Sequence, residues 1–233
     1  MGVISDVVNN VFVRTFKGEK WDWTQTKHGW EIDKGLFHTD RNKSAGGQIW
    51  EFFSRFTWQL PQTFVGNLFV SGANALGQVN GVTHGYGMTA VDMGLDNSAI
   101  SIGNYTAGPK GYKADWRDHL FVHEYGHYIQ SQQHGPAYFL TVGISSFQSA
   151  ILQTNNPNSP RHYNRWFEAD ASYKGMKYFD KHYGGKANKK NYGYKEEYSF
   201  DRNSFINGTK MPYINPRTGS RYDYAHLTSS KFH

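Results

Sequence analysis

His123 and His127 lie four residues apart in the run His123-Glu124-Tyr125-Gly126-His127, and that spacing closes on one metal ion only if the run is helical. Residues i and i+4 are neighbours on one helix face, so the two imidazoles converge there. Glu124 is one residue round, placed to reach a metal-bound water without taking a coordination position, as a general base for hydrolysis must. In a chain with eleven His and seven Glu, the H-E-x-x-H pattern arises by chance about 0.015 times, so its surroundings have to agree. They do. Asp115 and Asp118 stand where an acidic side chain can accept from the free N–H groups of a helix start, and His134-Gly135-Pro136 supplies a stop, with Gly taking the cap and Pro unable to continue.

Two histidines do not complete a catalytic metal site, which normally has three protein ligands and one open position. His134 falls seven residues after His127, one too far for the metzincin pattern, and Gln130 stands where that pattern needs Gly. Glu168 is the better third ligand, on a later helix expected from about Tyr163 to Tyr183. Ala171, Ser172 and Gly175 share its face, small enough to let the two helices approach closely. Asp170 lies about 200° round that helix from Glu168, so only one of the two carboxylates can face the metal. The arrangement is that of a gluzincin, with Ser172 in place of the Asp that often orients a ligating His there. A Ser hydroxyl can accept the same hydrogen bond more weakly. For a donor to the developing oxyanion, His162 and Tyr163, just ahead of Glu168, are the candidates.

Elsewhere the chain reads as mixed α and β. The tryptophans between Trp21 and Trp58 read as core packing. Trp30 to Phe37 looks like a strand and turn. Ser44 can cap a helix running to Trp58, with Ile49, Phe52, Phe53 and Phe56 as an apolar stripe, and Pro61 ends it or starts the next. Between Gly81 and Gly108, Met88 to Met93 and Ala99 to Tyr105 read as strands of a small sheet, the second a candidate edge for pairing with an extended substrate. Ala137 to Leu152 is too short and polar to span a bilayer and reads as a buried helical hairpin. Beyond Gly184 the chain loses periodicity, and an irregular end is expected.

The 233 residues and 17% aromatic content suffice for one sizeable domain. It is expected over 1–233, with about 1–30 and 209–233 peripheral. Having no cysteine, the chain can form neither disulfides nor thiolate metal sites. Met1 to Asn10 shows no signal-peptide pattern, so export would need a larger parent chain or a dedicated secretion machine. Net charge is +6, and seven lysines fall between Lys174 and Lys195. That cluster reads first as a solvated helix end, since Lys is favoured there, and second as a patch for an anionic partner.

Four segments, Ile32-Asp33-Lys34-Gly35-Leu36-Phe37, Ser54 to Thr63, Ile102-Gly103-Asn104-Tyr105 and His123 to Gln132, together resemble a bacterial zincin-like domain found at the C-terminal ends of Rhs-repeat, polymorphic-toxin-type proteins. The similarity runs from about Ile32 to Ile206, and Trp166-Phe167-Glu168 is similar to the family's downstream Trp-x-Glu element. The resemblance implies an α+β zincin-like metallopeptidase, acting as a secreted effector. Zn2+ would be held by His123, His127 and Glu168. Its substrate would be a peptide, a protein or a peptidoglycan-type amide, and its partners a cognate immunity protein and an Rhs-type carrier, with no specific nucleic acid. The rival readings are a catalytically silent scaffold kept for binding, and a toxin acting on membranes or nucleic acid.

Overall fold

The computed structural model describes residues 6–96, 98–144, 146, 148 and 166–183, together with the short antiparallel strand pair Tyr213–Ile214 and Arg221–Tyr222. The fold is mixed α and β, and the chain divides into two compact units, Met1–Ala114 and Asp115–His233.

The first unit opens with a π-helical turn, Asn9–Arg14, and continues into helices α1 (Thr24–Lys34), α2 (Ala45–Arg55) and α3 (Leu60–Ala75). Trp30 to Phe37 is therefore not a strand. Its first half belongs to α1, which starts where the Asp22 carboxylate accepts from the Thr24 backbone N–H at 2.9 Å. Ile32 is the sole buried residue of α1, and one anchored apolar position leaves no helical period to read. The Ser44 cap is present, its Oγ accepting from Gly47 N at 3.3 Å. Pro61 sits in the first turn of α3, where a missing N–H does no harm.

Four strands follow: β1 (Gly81–Gly85), β2 (Met88–Asp92), β3 (Ile100–Ile102) and β4 (Tyr105–Gly108), in the order β1-β2-β4-β3. β2 and β4 run parallel at the centre, and β1 and β3 pair antiparallel on the flanks. The strand expected from Ala99 to Tyr105 is thus a hairpin folded at Gly103-Asn104, and the substrate-pairing candidate β3 is an edge strand. β1 shows no clean alternation and all its residues are half-buried, which hid it from pattern reading. A two-residue turn, Tyr86-Gly87, joins β1 to β2 with both residues at positive φ, the geometry that matches strand twist. Ile32, Val70, Ala73, Val79, Val91 and Tyr105 form the core beneath. The Tyr105 hydroxyl donates to Ile32 O at 3.1 Å and accepts from Asn67 at 3.0 Å.

The tryptophan-rich stretch does not supply that core. Trp21, Trp23, Trp30, Trp50 and Trp58 are exposed, as are Ile49, Phe53 and Phe56 of the expected apolar stripe. α2 turns its polar side inward instead. The Arg55 guanidinium, fully buried, donates to the carbonyls of Gly35, Leu36 and Gly87 at 3.1, 3.0 and 2.7 Å. Glu51 pairs with it at 3.6 Å and with Lys43 at 3.3 Å. Satisfying three loop carbonyls with one guanidinium fixes the helix's rotation, because a buried charge left unpaired costs more than exposed rings do.

The second unit is built on helices α4 (His119–His134) and α5 (Trp166–Tyr183). Asp118 caps α4, accepting from Leu120 N at 3.0 Å, and Gly135 at φ 52° ends it. Phe121, Tyr125, Tyr178 and Phe179 pack ring against ring between the helices. The segment after α4 enters helical turns at Gly135–Ala137 and Phe139–Gly143. There Tyr138 and Val142 are buried but Leu140 is exposed, so the expected burial of this apolar run holds on one side only. Lys174, Lys177 and Lys181 lie on α5. The rest of the hairpin and of the lysine cluster, and most of the C-terminal region, fall outside the described residues.

Candidate metal centre

Two glycines bring α4 and α5 into contact. A Cβ built on Gly126 would collide with the Ala171 carbonyl, and one on Gly175 with the Val122 carbonyl. The small face of α5 therefore seats directly on the helix carrying the two histidines, as Ala171, Ser172 and Gly175 led one to expect. The close approach delivers Glu168 to them. Its Oε2 lies 3.0 Å from His123 Nε2 and 3.1 Å from His127 Nε2. Among the described residues these three form a group able to hold a metal ion, with ligand atoms all within 4.8 Å of one another.

Each member of the group is held from behind. His123 Nδ1 is 2.8 Å from Ser172 Oγ, and His127 Nδ1 is 2.8 Å from Gln130 Oε1. An oxygen accepting at Nδ1 fixes the tautomer whose Nε2 lone pair points at the shared centre. Gln130 is itself oriented, its Nε2 donating to Phe167 O at 2.8 Å and to Asp170 Oδ2 at 2.9 Å. Asp170 in turn pairs with Lys174. The other Glu168 oxygen, Oε1, accepts from Ser146 Oγ at 2.5 Å. Phe167, one residue before it, packs with Tyr138 and Val142.

The electrostatics favour positive charge at the centre. Burial acts against a charged His127, but the Glu168 carboxylate, by its charge and its hydrogen bond, outweighs that, with help from Glu124 and Gln130, and the imidazole is pushed up to about 9. Burial likewise acts to raise Glu168, yet the charge of His127 and the hydrogen bonds of both imidazoles hold it well below the usual carboxylate range. Tyr138 is raised by burial first, then by the negative charges of Glu124 and Glu168. It therefore stays a protonated donor at any working pH.

The donor set fits a divalent cation. Two imidazole nitrogens and one carboxylate oxygen suit zinc, and two ligands at tetrahedral positions around it are about 3.3 Å apart. The observed 3.0 and 3.1 Å from Glu168 to each imidazole need only a small expansion, while the ligand atoms, which spread over as much as 4.8 Å, would draw in around the ion. Glu124, buried on the same helix, is not one of the three.

Of the residues singled out in the sequence, His123, Glu124, His127 and Glu168 are described here, while His162 and Tyr163 lie outside the described residues. His134 stands apart from the group, with Thr141 Oγ1 3.4 Å from its Nδ1. Gln130 and Ser146 were missed. Gln130 was met only as the residue that spoils a metzincin pattern, although its position three after His127 put it in reach of that ring. Ser146 gave no signal, because the turn that brings it back is not periodic. No family model, curated protein or solved structure matches this chain.

Proposed function

We propose that the chain is a zinc-dependent endopeptidase or amidase with a zincin-like, gluzincin-type centre, and that it acts as a secreted effector domain of the Rhs-associated kind its sequence resembles. The observation that carries this reading is the convergence of Glu168 Oε2 on both imidazoles at 3.0 and 3.1 Å, with Glu124 one residue from the first ligand. His123, His127 and Glu168 would hold the ion. Zinc is favoured over other divalent ions because two imidazoles and one carboxylate with an open position suit it. When bound, it supplies a Lewis acid that polarises a carbonyl and acidifies water.

The residues of the chain then divide the remaining work. Glu124 accepts a proton from the water whose oxygen adds to the amide carbonyl carbon, and returns it to the nitrogen as the C–N bond breaks. Ser172 and Gln130 keep both rings in the ligating tautomer. His162 and Tyr163 are the donors toward the negative oxygen that develops. The substrate class is a peptide, protein or peptidoglycan-type amide, and an immunity protein and an Rhs-type carrier are the partners this reading entails.

Glu124→Gln tests the assignment, because Gln keeps the shape but cannot accept the proton. Cleavage of a broad peptide library, or toxicity on expression, should be lost while zinc content stays unchanged. Toxicity retained by Glu124→Gln without any cleavage would leave a metal-bearing binding scaffold, and cleavage retained by it would remove Glu124 as the proton acceptor.

A further inference from the structure

Helices α2 and α3 are inverted relative to a water-soluble surface. Beside the core residues Val70 and Ala73, much of what they turn inward is polar: Arg55 and Gln62 are 0% exposed, and Glu51, Thr63 and Asn74 are nearly as buried. Their outward residues, with Trp58 between them and Leu76 at the end of α3, are large and apolar: Trp50 is 63% exposed, Phe53 56%, Phe64 62% and Leu76 76%, with Trp58 and Leu68 close behind. The register is not free to slip. Arg55 is tied to three loop carbonyls, Gln59 donates to Ser54 Oγ at 2.6 Å, and Asn74 donates to Gln25 O at 2.7 Å. Rolling either helix to hide its rings would strand these groups away from their partners.

The size of this face sets it apart from ordinary surface hydrophobes. Some ten such side chains are about half uncovered, and at roughly 150–250 Å² per aromatic the face measures on the order of 1,000 Å². Apolar patches on a soluble monomer are typically about 300–600 Å². The charge pattern selects its occupant. Between Ala45 and Gln78 the chain carries only two charged residues, Glu51 and Arg55, both buried and paired with each other. The outward face is thus uncharged, without the polar rim that specific protein interfaces show. Trp50 and Trp58 are the residue type enriched at the headgroup level of bilayers. The exposed Arg41 stands just before α2 and supplies a positive charge beside the face, which complements anionic headgroups. α3 has 16 residues, so it is about 24 Å long, short of the roughly 30 Å hydrocarbon core. No helix among the described residues is long and apolar enough to cross a membrane. The fitting mode is that of helices lying in the interface with their apolar side sunk about 5–10 Å.

We infer that the outward face of α2 and α3 docks on the headgroup–acyl boundary of an anionic lipid bilayer. This assignment does not depend on the metal centre. Flotation with phosphatidylcholine vesicles, with and without a minority of phosphatidylglycerol, tests it directly. The full chain should float with the phosphatidylglycerol vesicles and its tryptophan emission should move to shorter wavelength. Binding should weaken with salt without vanishing, and chelator should leave it unchanged. Phe53→Glu with Phe64→Glu should reduce binding by about 100-fold or more, since each places a charge where a ring met lipid. Both sites are exposed, so circular dichroism and thermal stability should be preserved. Absence of flotation with either vesicle overturns the inference, as does equal binding by the double variant. A concentration-dependent dimer that the double variant dissolves, with no vesicle binding, would assign the face to a second copy and overturn it too.

Discussion

Replacing Gln130 with methionine removes three hydrogen bonds at once while nearly keeping the side-chain shape. Gln130 is fully buried. Its Oε1 lies 2.8 Å from His127 Nδ1, and its Nε2 donates to Phe167 O at 2.8 Å and to Asp170 Oδ2 at 2.9 Å. Without the acceptor, nothing on Gln130's side fixes which His127 nitrogen carries the proton, and the ring must be reordered each time an ion binds. Losing such an outer partner typically lowers metal affinity by about 10–100-fold, equivalent to about 1.4–2.7 kcal/mol. Losing the bond to the Phe167 carbonyl adds a folding penalty of about 0.5–1.5 kcal/mol. Zinc competition against a chelator of known affinity measures the first, and urea unfolding with chelator present measures the second. Asp170→Asn is the control: it keeps an acceptor for Gln130 and loses only the partly exposed pair with Lys174, worth no more than about 1 kcal/mol, so zinc affinity should stay nearly intact. A folded Gln130→Met protein with wild-type zinc affinity would refute the role given to this side chain.

Gly126→Ala and Gly175→Ala should each destabilise the second unit by about 1–3 kcal/mol or more, because the added methyl meets backbone carbonyls that cannot yield as side chains do; thermal unfolding reads this out. Arg55→Met should cost about 3–5 kcal/mol in urea, since it removes the buried partner of Glu51 and the guanidinium donor to the Leu36 and Gly87 carbonyls, Gly35 keeping its bond from Asn104. In chelator-treated protein, His127 has a folded pKa above its unfolded one. Its contribution to stability is therefore fully present below the ordinary 6.5 and lost as pH rises through about 9. Zinc binding runs the other way, strengthening as pH rises toward about 9, because the proton on His127 must leave first. Thermal melts across pH, with chelator and with zinc, should show these opposite slopes.

The second unit was largely legible in the sequence because its logic is local. The i, i+4 histidines, the Asp118 cap and the Gly135 stop are short-range signals, and the Ala171, Ser172 and Gly175 face announced a close helix contact before its partner was known. Ser172 stands where the expected acceptor was placed, 2.8 Å from His123. The first unit was less legible because burial there is decided by distant partners. Ile49, Phe53 and Phe56 have the spacing of a core stripe, yet Arg55 and Glu51 win the interior because the loop carbonyls of Gly35, Leu36 and Gly87 need a donor. No periodicity encodes that need. Ser146 returns to the centre after a π-helical stretch, whose spacing differs from that of an α-helix.

Elemental analysis of protein purified without added metal is the most direct test of the centre. Wild-type protein should carry about one zinc per chain, and Glu168→Ala, which removes the oxygen lying 3.0 and 3.1 Å from the two imidazoles, should lose it. Zinc far below half occupancy that added metal does not restore, or full zinc retained by Glu168→Ala, would contradict the assignment.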